Sequence, residues 1–504
     1  MKKNVLALSI AAMVGGLGFA GAASAALSVN ESGLGHILVV PYYTVQNGNM
    51  SVFHLTNTDT LNGKAVKVRF RGASNSDDVL DFQVFLSPGD VWTGAVTADA
   101  GGKAQLTTSD NTCTLPAMAK GQQYPFVTNR LSKTGWTAAD KAAQTREGYV
   151  EILNMADIPA TTADKGLYKA IKHVNGVAPC TPAVLQQTLN VTPAPNATNL
   201  ALPGSGVNDL TIPTGGLTGS WYVINVAEST TFSGATPAIV SDATTVNVFS
   251  PQKNGTALLQ TADPLIVSGV LPSQHYDVPD LSTPYEAGVT DADVQAAALT
   301  AAIARTSVIN QFATAPAISA KTDWVFSMPT RRYTIAANYA AGAVNQKVGL
   351  VTGTNLTGGV GAVSDTTAYR FINDEIAKVD NIFATGSNTD VNDAGQICVT
   401  ASEQPFWDRE ESQQQDGAVW SPSDVQKTRL CGEVSVLAFS TDNSALGAQV
   451  ARQSVAAPYV NGWSQMSFST KAPVLGAAFL KLTNPEAAPG TVGTYGITWP
   501  HAYR

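Results

Sequence analysis

Apolar and polar residues alternate along most of the chain. Residues 37–43, 50–55, 65–70 and 79–86 carry β-branched or aromatic side chains at every second position, the pattern of half-buried strands. Between them stand Asn47-Gly48-Asn49, Asn57-Thr58-Asp59, Asn62-Gly63 and Ser87-Pro88-Gly89-Asp90. Gly and Asn supply positive φ there and Pro presets φ, so these segments read as turns. The same grammar returns at 148–153, 221–226, 324–328, 433–439, 466–468 and 478–482. The expectation is a mainly β protein of antiparallel β-sandwich units joined by long loops. No fixed period marks a solenoid or propeller.

Two stretches depart from alternation. Thr290-Asp291-Ala292-Asp293 opens an Ala-rich run to Arg305, with acid in the first turn and base near the end. This predicts one short Ala-rich helix near 290–305, packed over a sheet. Residues 188–216 hold Pro193, Pro195, Pro203 and Pro213 among Asn, Thr and Gly, which reads as a linker or long loop. The resulting division is an N-terminal β-sandwich domain at 26–187, the linker, and a C-terminal β-rich region at 217–504. The Gly/Thr-rich segment 352–364 suits a hairpin tip.

Met1-Lys2-Lys3, an apolar stretch over 5–21 and Ala23-Ser24-Ala25 form the three parts of a secretory signal peptide, expected to be removed after residue 25. No Cys follows that site, so a lipoprotein anchor is not supported. The four cysteines, Cys113, Cys180, Cys398 and Cys431, are an even number in an exported chain and read as two disulfides. Of the three connectivities, Cys113 to Cys180 and Cys398 to Cys431 is favoured, because short separations meet most often. A zinc site would want C-x-x-C spacing or clustered His, and neither occurs.

Charged residues are only 13% of the chain, against about 25% in an ordinary soluble domain. The net charge of −8 and the lack of a Lys/Arg cluster oppose nucleic-acid binding. Beyond the leader the most apolar helical run, 294–303, is too short to cross a bilayer, so no transmembrane span is expected in the mature chain. His36, His54, His173, His275 and His501 are scattered, and no G-x-S-x-G occurs.

The most chemical-looking segment is Phe406 followed by Trp407, Asp408, Arg409, Glu410 and Glu411. In an extended chain Asp408 and Glu410 share one face, a pair of carboxylates beside a sugar-stacking Trp407, as in a glycoside hydrolase or a ligand site. The plainer expectation is a loop in which Arg409 binds a carboxylate and Trp407 packs beneath it. Asp390, Asn392 and Asp393 are oxygen-rich calcium candidates, but their spacing departs from the EF-hand loop and no Glu closes it; an ordinary solvated turn is the simpler reading, and no cofactor is required. Trp92, Trp221 and Trp324 read as core, and Trp420 as exposed.

Residues 35–44, 68–72 and 81–92, together with Thr322-Asp323-Trp324 and Pro329-Thr330, resemble exported proteins of Gram-negative bacteria described as cell-surface proteins. The resemblance implies a place at the cell surface and membership of a coat, and it brings no active-site residues. The leading expectation is therefore an exported non-enzymatic cell-surface protein contributing to a coat, matrix or adhesion, with self-association or a surface glycan as partner. Behind it stands a secreted carbohydrate- or ligand-binding β-sandwich protein, and behind that a glycoside hydrolase using Asp408 or Glu410.

Overall fold

A computed structural model of the chain describes residues 27–241 and 292–504, except 75, 77, 129–130, 132–135, 192–196, 332–334, 337–348, 353–368, 373–388, 392–395, 414–427, 440–443 and 451. The expected signal peptide, most of the 352–364 loop, His275, Asn392, Asp393 and Trp420 lie outside the described residues. Strands account for 51% of the structure and helices for 10%, so the chain is mainly β.

In chain order the first strands are β1 (Ser28–Val29), β2 (Ile37–Thr44), β3 (Met50–Asn57), β4 (Gly63–Gly72), β5 (Asp78–Leu86), β6 (Val91–Ala98), β7 (Ala104–Thr108), β8 (Cys113–Leu115) and β9 (Gln123–Pro125). There follow β10 (Glu147–Ile158), β11 (Asn199–Leu200), β12 (Leu210–Thr211), β13 (Leu217–Asn225), β14 (Thr230–Ala235) and β15 (Ala238–Val240). One sheet runs β1-β15-β2-β10-β4-β5-β8, with β12 and β11 added at β10; the facing sheet runs β14-β13-β3-β6-β7-β9. Phe70, Phe53, Phe82, Trp92, Tyr43 and Phe126 fill the space between them, Phe70 lying 5.6 Å from Phe53 and 5.5 Å from Tyr43. Such edge-on aromatic contacts lock a sandwich core more specifically than area alone.

The remaining strands are β16 (Ala304–Ala313), β17 (Lys321–Ser327), β18 (Ile335–Ala336), β19 (Gly349–Thr352), β20 (Tyr369–Ile372), β21 (Thr389–Val391), β22 (Ile397–Thr400) and β23 (Phe406–Trp407). After them come β24 (Arg429–Cys431), β25 (Val434–Ala438), β26 (Arg452–Ser454), β27 (Asn461–Pro473), β28 (Leu475–Ala488), β29 (Thr491–Pro500) and β30 (Ala502–Tyr503). A four-stranded sheet β23-β27-β16-β30 faces a five-stranded sheet β26-β25-β17-β28-β29, and two three-stranded sheets, β18-β20-β19 and β21-β22-β24, complete the half. Residues of β17 alternate between two cores. Trp324 and Phe326 point toward the four-stranded sheet, whereas Val325 joins the N-terminal core. A sheet buried on both faces explains why Trp324, Val325 and Phe326 follow one another without a polar residue between them.

Phe479 of β28 crosses between the halves, its ring 5.6 Å from Trp221, 5.4 Å from Phe232 and 6.3 Å from Tyr42. The two halves thus share a core. Strands β13 to β15, assigned from sequence to the C-terminal region, hydrogen-bond into the N-terminal sheets through β3, β2 and β1. The Pro-rich segment ahead of them folds back on β10, pinned by the buried carboxylate of Asp209, which accepts from the backbone N–H of Leu167 and Leu202 at 2.8 Å each. Pro203 and Pro213 flank the short edge pairings of β11 and β12, where a missing N–H is tolerated.

The expected helix forms as α4 (Ala292–Ile303), with Leu299 and Ile303 buried in the N-terminal core. It is not alone. Helices α1 (Ala138–Gln144), α2 (Leu167–Ile171) and α3 (Pro182–Gln187) precede it, each too short for a helical period to show. A capping box between Thr137 and Asp140 starts α1, and proline opens α3. Both expected disulfides are present: Cys113–Cys180, and Cys398–Cys431 directly across β22 and β24.

Residues 444–450 strap the halves together. Glu147 of β10 accepts from Tyr42 Oη at 2.6 Å, from Gln46 Nε2 at 3.1 Å and from the backbone N–H of Gln449 and Val450 at 2.9 and 2.6 Å. Asp323 of β17 accepts from the N–H of Leu446 at 2.9 Å and from Ser444 Oγ. Burial pushes the Asp323 carboxyl up to about 6, against the pull of these hydrogen bonds. The Tyr42 phenol is driven well above its ordinary value, first by burial and then by Glu147, and so stays a donor.

Candidate functional site

The short strand β23 sorts its two aromatic residues to opposite faces. Phe406 turns inward, its ring 5.8 Å from Phe312. Trp407 turns outward and stacks on Trp463, its register partner on β27, with centroids 3.9 Å apart and planes 7° from parallel. Gly462 makes the approach feasible, because a Cβ there would stand 1.9 Å from the Trp407 carbonyl oxygen.

The chain then reverses. Asp408 Oδ1 accepts from the backbone N–H of Glu410 and of Ser412, both at 2.8 Å, and the Asp408 N–H donates to Ser412 O at 3.0 Å. Glu411 takes φ +67°, and Trp407 bridges back to Gln413. The extended arrangement that would align Asp408 with Glu410 is therefore absent, since the strand ends at Trp407 and Asp408 holds the turn. Trp407 packs on Trp463, where the sequence suggested packing under an Arg409 ion pair. Asp408, Arg409 and Glu411 nonetheless line a groove of about 730 Å³, shared with Trp463, Trp499 and Gln311. Glu410 is exposed and is not among its lining residues.

Trp463 and Trp499 were not singled out from sequence, although one signal was available. In the run 463–468 the buried positions are Ser464, Met466 and Phe468, so Trp463 is out of phase with the core. An aromatic on the wrong beat of a strand belongs to the other face.

A second constellation was also missed. His173 Nδ1 lies 3.1 Å from Ser87 Oγ and 3.6 Å from Asp90 Oδ2. A Ser-His-Asp relay needs serine and carboxylate on different ring nitrogens, whereas both approach Nδ1 here. Asp90 Oδ2 also accepts the Ser87 N–H at 3.1 Å, so the cluster closes the 87–90 turn. The other described histidines are structural. His36 links Ser241 to Pro213, His54 packs edge-on to Tyr222, and His501, pushed down to about 4 by burial, sits neutral between Asn310 and Val325.

The second face of the β4, β5 and β10 sheet holds buried ionic groups. Lys64 is the exception: in phase with Val66, Val68 and Phe70 on the sandwich side of β4, it is fully buried and lies 2.7 Å from Asp157, which also accepts from Asn154 Nδ2 at 2.8 Å; the second face carries the others. Arg71 and Arg69 approach Glu151 at 3.3 and 3.7 Å, and Tyr149 Oη donates to Glu151 at 3.2 Å. The C-terminal half closes over this face through Tyr149 Oη to Pro329 O at 3.3 Å and Val434 N to Ala73 O at 3.1 Å. The charges therefore lie at the joint between the halves. Of the calcium candidates only Asp390 is described, in β21 opposite Cys398. Among the described residues no helix is long and apolar enough to cross a membrane, and no group of three or more His, Cys, Asp or Glu could hold a metal. Comparison with protein-family models, with curated proteins and with solved structures finds no match in any of the three.

Proposed function

We propose that this chain is an exported, non-enzymatic protein of the cell surface that acts by contact, as part of a coat, matrix or adhesive layer, and that the groove beside Trp463 is its contact site. The observation that supports the reading is the stacked Trp407–Trp463 pair, held outward beside a charged turn and a mainly apolar groove with a few polar groups, Gln311 among them, the composition of a recognition site. Two disulfides suit the oxidising compartment that an exported chain enters. Asp408, the acid a hydrolase would need, is committed to its turn, which weakens that alternative.

The test is fractionation of the producing cells with imaging of their surface, for wild type and for Trp463→Ala. Retention at the envelope, reduced in the variant, is expected. Recovery in the cytoplasm, or a deletion strain with an unchanged surface, overturns the proposal. Self-association as a coat is a second reading, favoured by the end of the β28–β29 hairpin, where Val492 and Tyr495 are 62% and 56% exposed. Sedimentation that stays monomeric at high concentration removes it.

A further inference from the structure

We infer that the ligand of the Trp463 groove is a neutral glycan, bound by side chains alone; the inference rests on the groove being the contact site. A pyranose offers a flat apolar face of C–H bonds and a rim of hydroxyls that both donate and accept. The groove presents the complement. Trp463, backed by Trp407, and Trp499 are flat and apolar, with Leu480 and Leu482 beside them. Gln311, Arg409 and Glu411 provide acceptors and donors of both signs. Two carboxylates on the groove and a net charge of −8 disfavour a polyanion, which would need clustered cations.

The competing occupant is an extended peptide, which binds such grooves by adding a strand to a free sheet edge. The edge of β16 that lines this groove has no backbone groups left to offer at the positions concerned. Gln311 N donates to Asn310 Oδ1 at 2.8 Å, and Gln311 O accepts from Trp324 Nε1 at 2.8 Å. Ala313 N and O are both engaged by Thr322 Oγ1, at 2.9 and 2.8 Å. Across the groove, Asn310 Nδ2 caps Trp499 O and Pro500 O at 3.0 and 3.2 Å. With these strand-edge positions engaged, recognition falls to ring faces and polar groups, which is the chemistry of sugar binding.

The experiment titrates the mature protein with neutral hexasaccharides of β-1,4-glucose, β-1,4-N-acetylglucosamine and α-1,4-glucose, and with polysaccharide extracted from the producing cells' envelope. Calorimetry and tryptophan emission report binding, and indole NMR resonances report its location. At least one probe is expected to bind and to shift the Trp463 and Trp407 indole signals. Trp463→Ala should weaken it by about tenfold or more, as loss of a central aromatic anchor does, with an unchanged melting temperature. If the alanine variant fails to fold, Trp463→Phe replaces it, with an intermediate loss expected. Failure of every sugar to bind, or equal binding by the variants, overturns the glycan assignment. Surface retention of Trp463→Ala cells then separates the two readings. Retention lost without sugar binding leaves a contact site for another partner, whereas unchanged retention removes the contact site as well.

Discussion

The ionic face of the N-terminal sheet and the tryptophan groove of the C-terminal sandwich follow the same period-two rule with opposite outcomes. On β4 and β10, Arg69, Arg71 and Glu151 are out of phase with Val68 and Phe70, yet they are covered by the other half of the molecule and paired with one another. On β23 and β27, the out-of-phase residues include Trp407 and Trp463, and they remain half-buried beside a groove. Burying charge without a partner is costly, so the ionic face depends on its internal contacts. Leaving two indoles at the surface forgoes burial that the fold could otherwise have used, and that is the arrangement expected where the partner is another molecule. One face serves cohesion and the other serves contact.

The contrast can be broken most sharply at the joint. Phe479→Ala should cost about 3–5 kcal/mol and loosen both halves, seen as a lower urea midpoint with loss of near-UV circular dichroism. Lys64→Met should cost about 3–5 kcal/mol by leaving Asp157 without its cation in a buried site, measured by urea unfolding. A loss below about 1 kcal/mol would show that this buried ion pair is not structural.

Asp323 makes the joint respond to pH. Its folded-state carboxyl is raised to about 6 from an ordinary 3.8, so its favourable contribution is complete below about pH 4 and is lost as pH rises through 6. The two-unit difference corresponds to a swing of about 3 kcal/mol at most. Wild type minus Asp323→Asn, followed by urea unfolding between pH 4 and 7, should show that slope, and parallel curves would refute it. Gly462→Ala should cost about 1–3 kcal/mol by overpacking and should abolish the exciton signal of the Trp407–Trp463 stack. The smallest effect sharpens the other side of the comparison. Glu410→Gln, exposed and outside the groove lining, should change stability by less than about 0.5 kcal/mol and leave sugar binding intact.

Much of this was legible along the chain. Alternation located the strands, and cysteine separations indicated the pairs that form. The phase of Trp463 against Met466 and Phe468 also pointed outward, and β27 carried that information without help from any other strand. Other features were not legible. Lys67, Arg69 and Arg71 carry the pattern of a solvent face, because period two reports which side of a strand a residue occupies and says nothing of what covers it. A loop at 406–411 is the plainer expectation from the sequence, but not that Asp408 would hold it as an Asx-turn, because the same residues also fit an extended strand.

The amino-acid order by itself therefore determined the strand-rich class, the turn positions, the α4 helix and the local partition of side chains between faces, since these depend on neighbours within a few residues. Tertiary structure alone decided that β13 to β15 complete the N-terminal sheets and that Phe479 and the 444–450 strap join the halves. It also decided that Trp407 stacks on Trp463 and that Trp463 and Trp499 line one groove. Each of these brings together residues remote in sequence, and their meeting depends on sheet order and on which hydrophobic faces can be buried together, information that no local pattern contains.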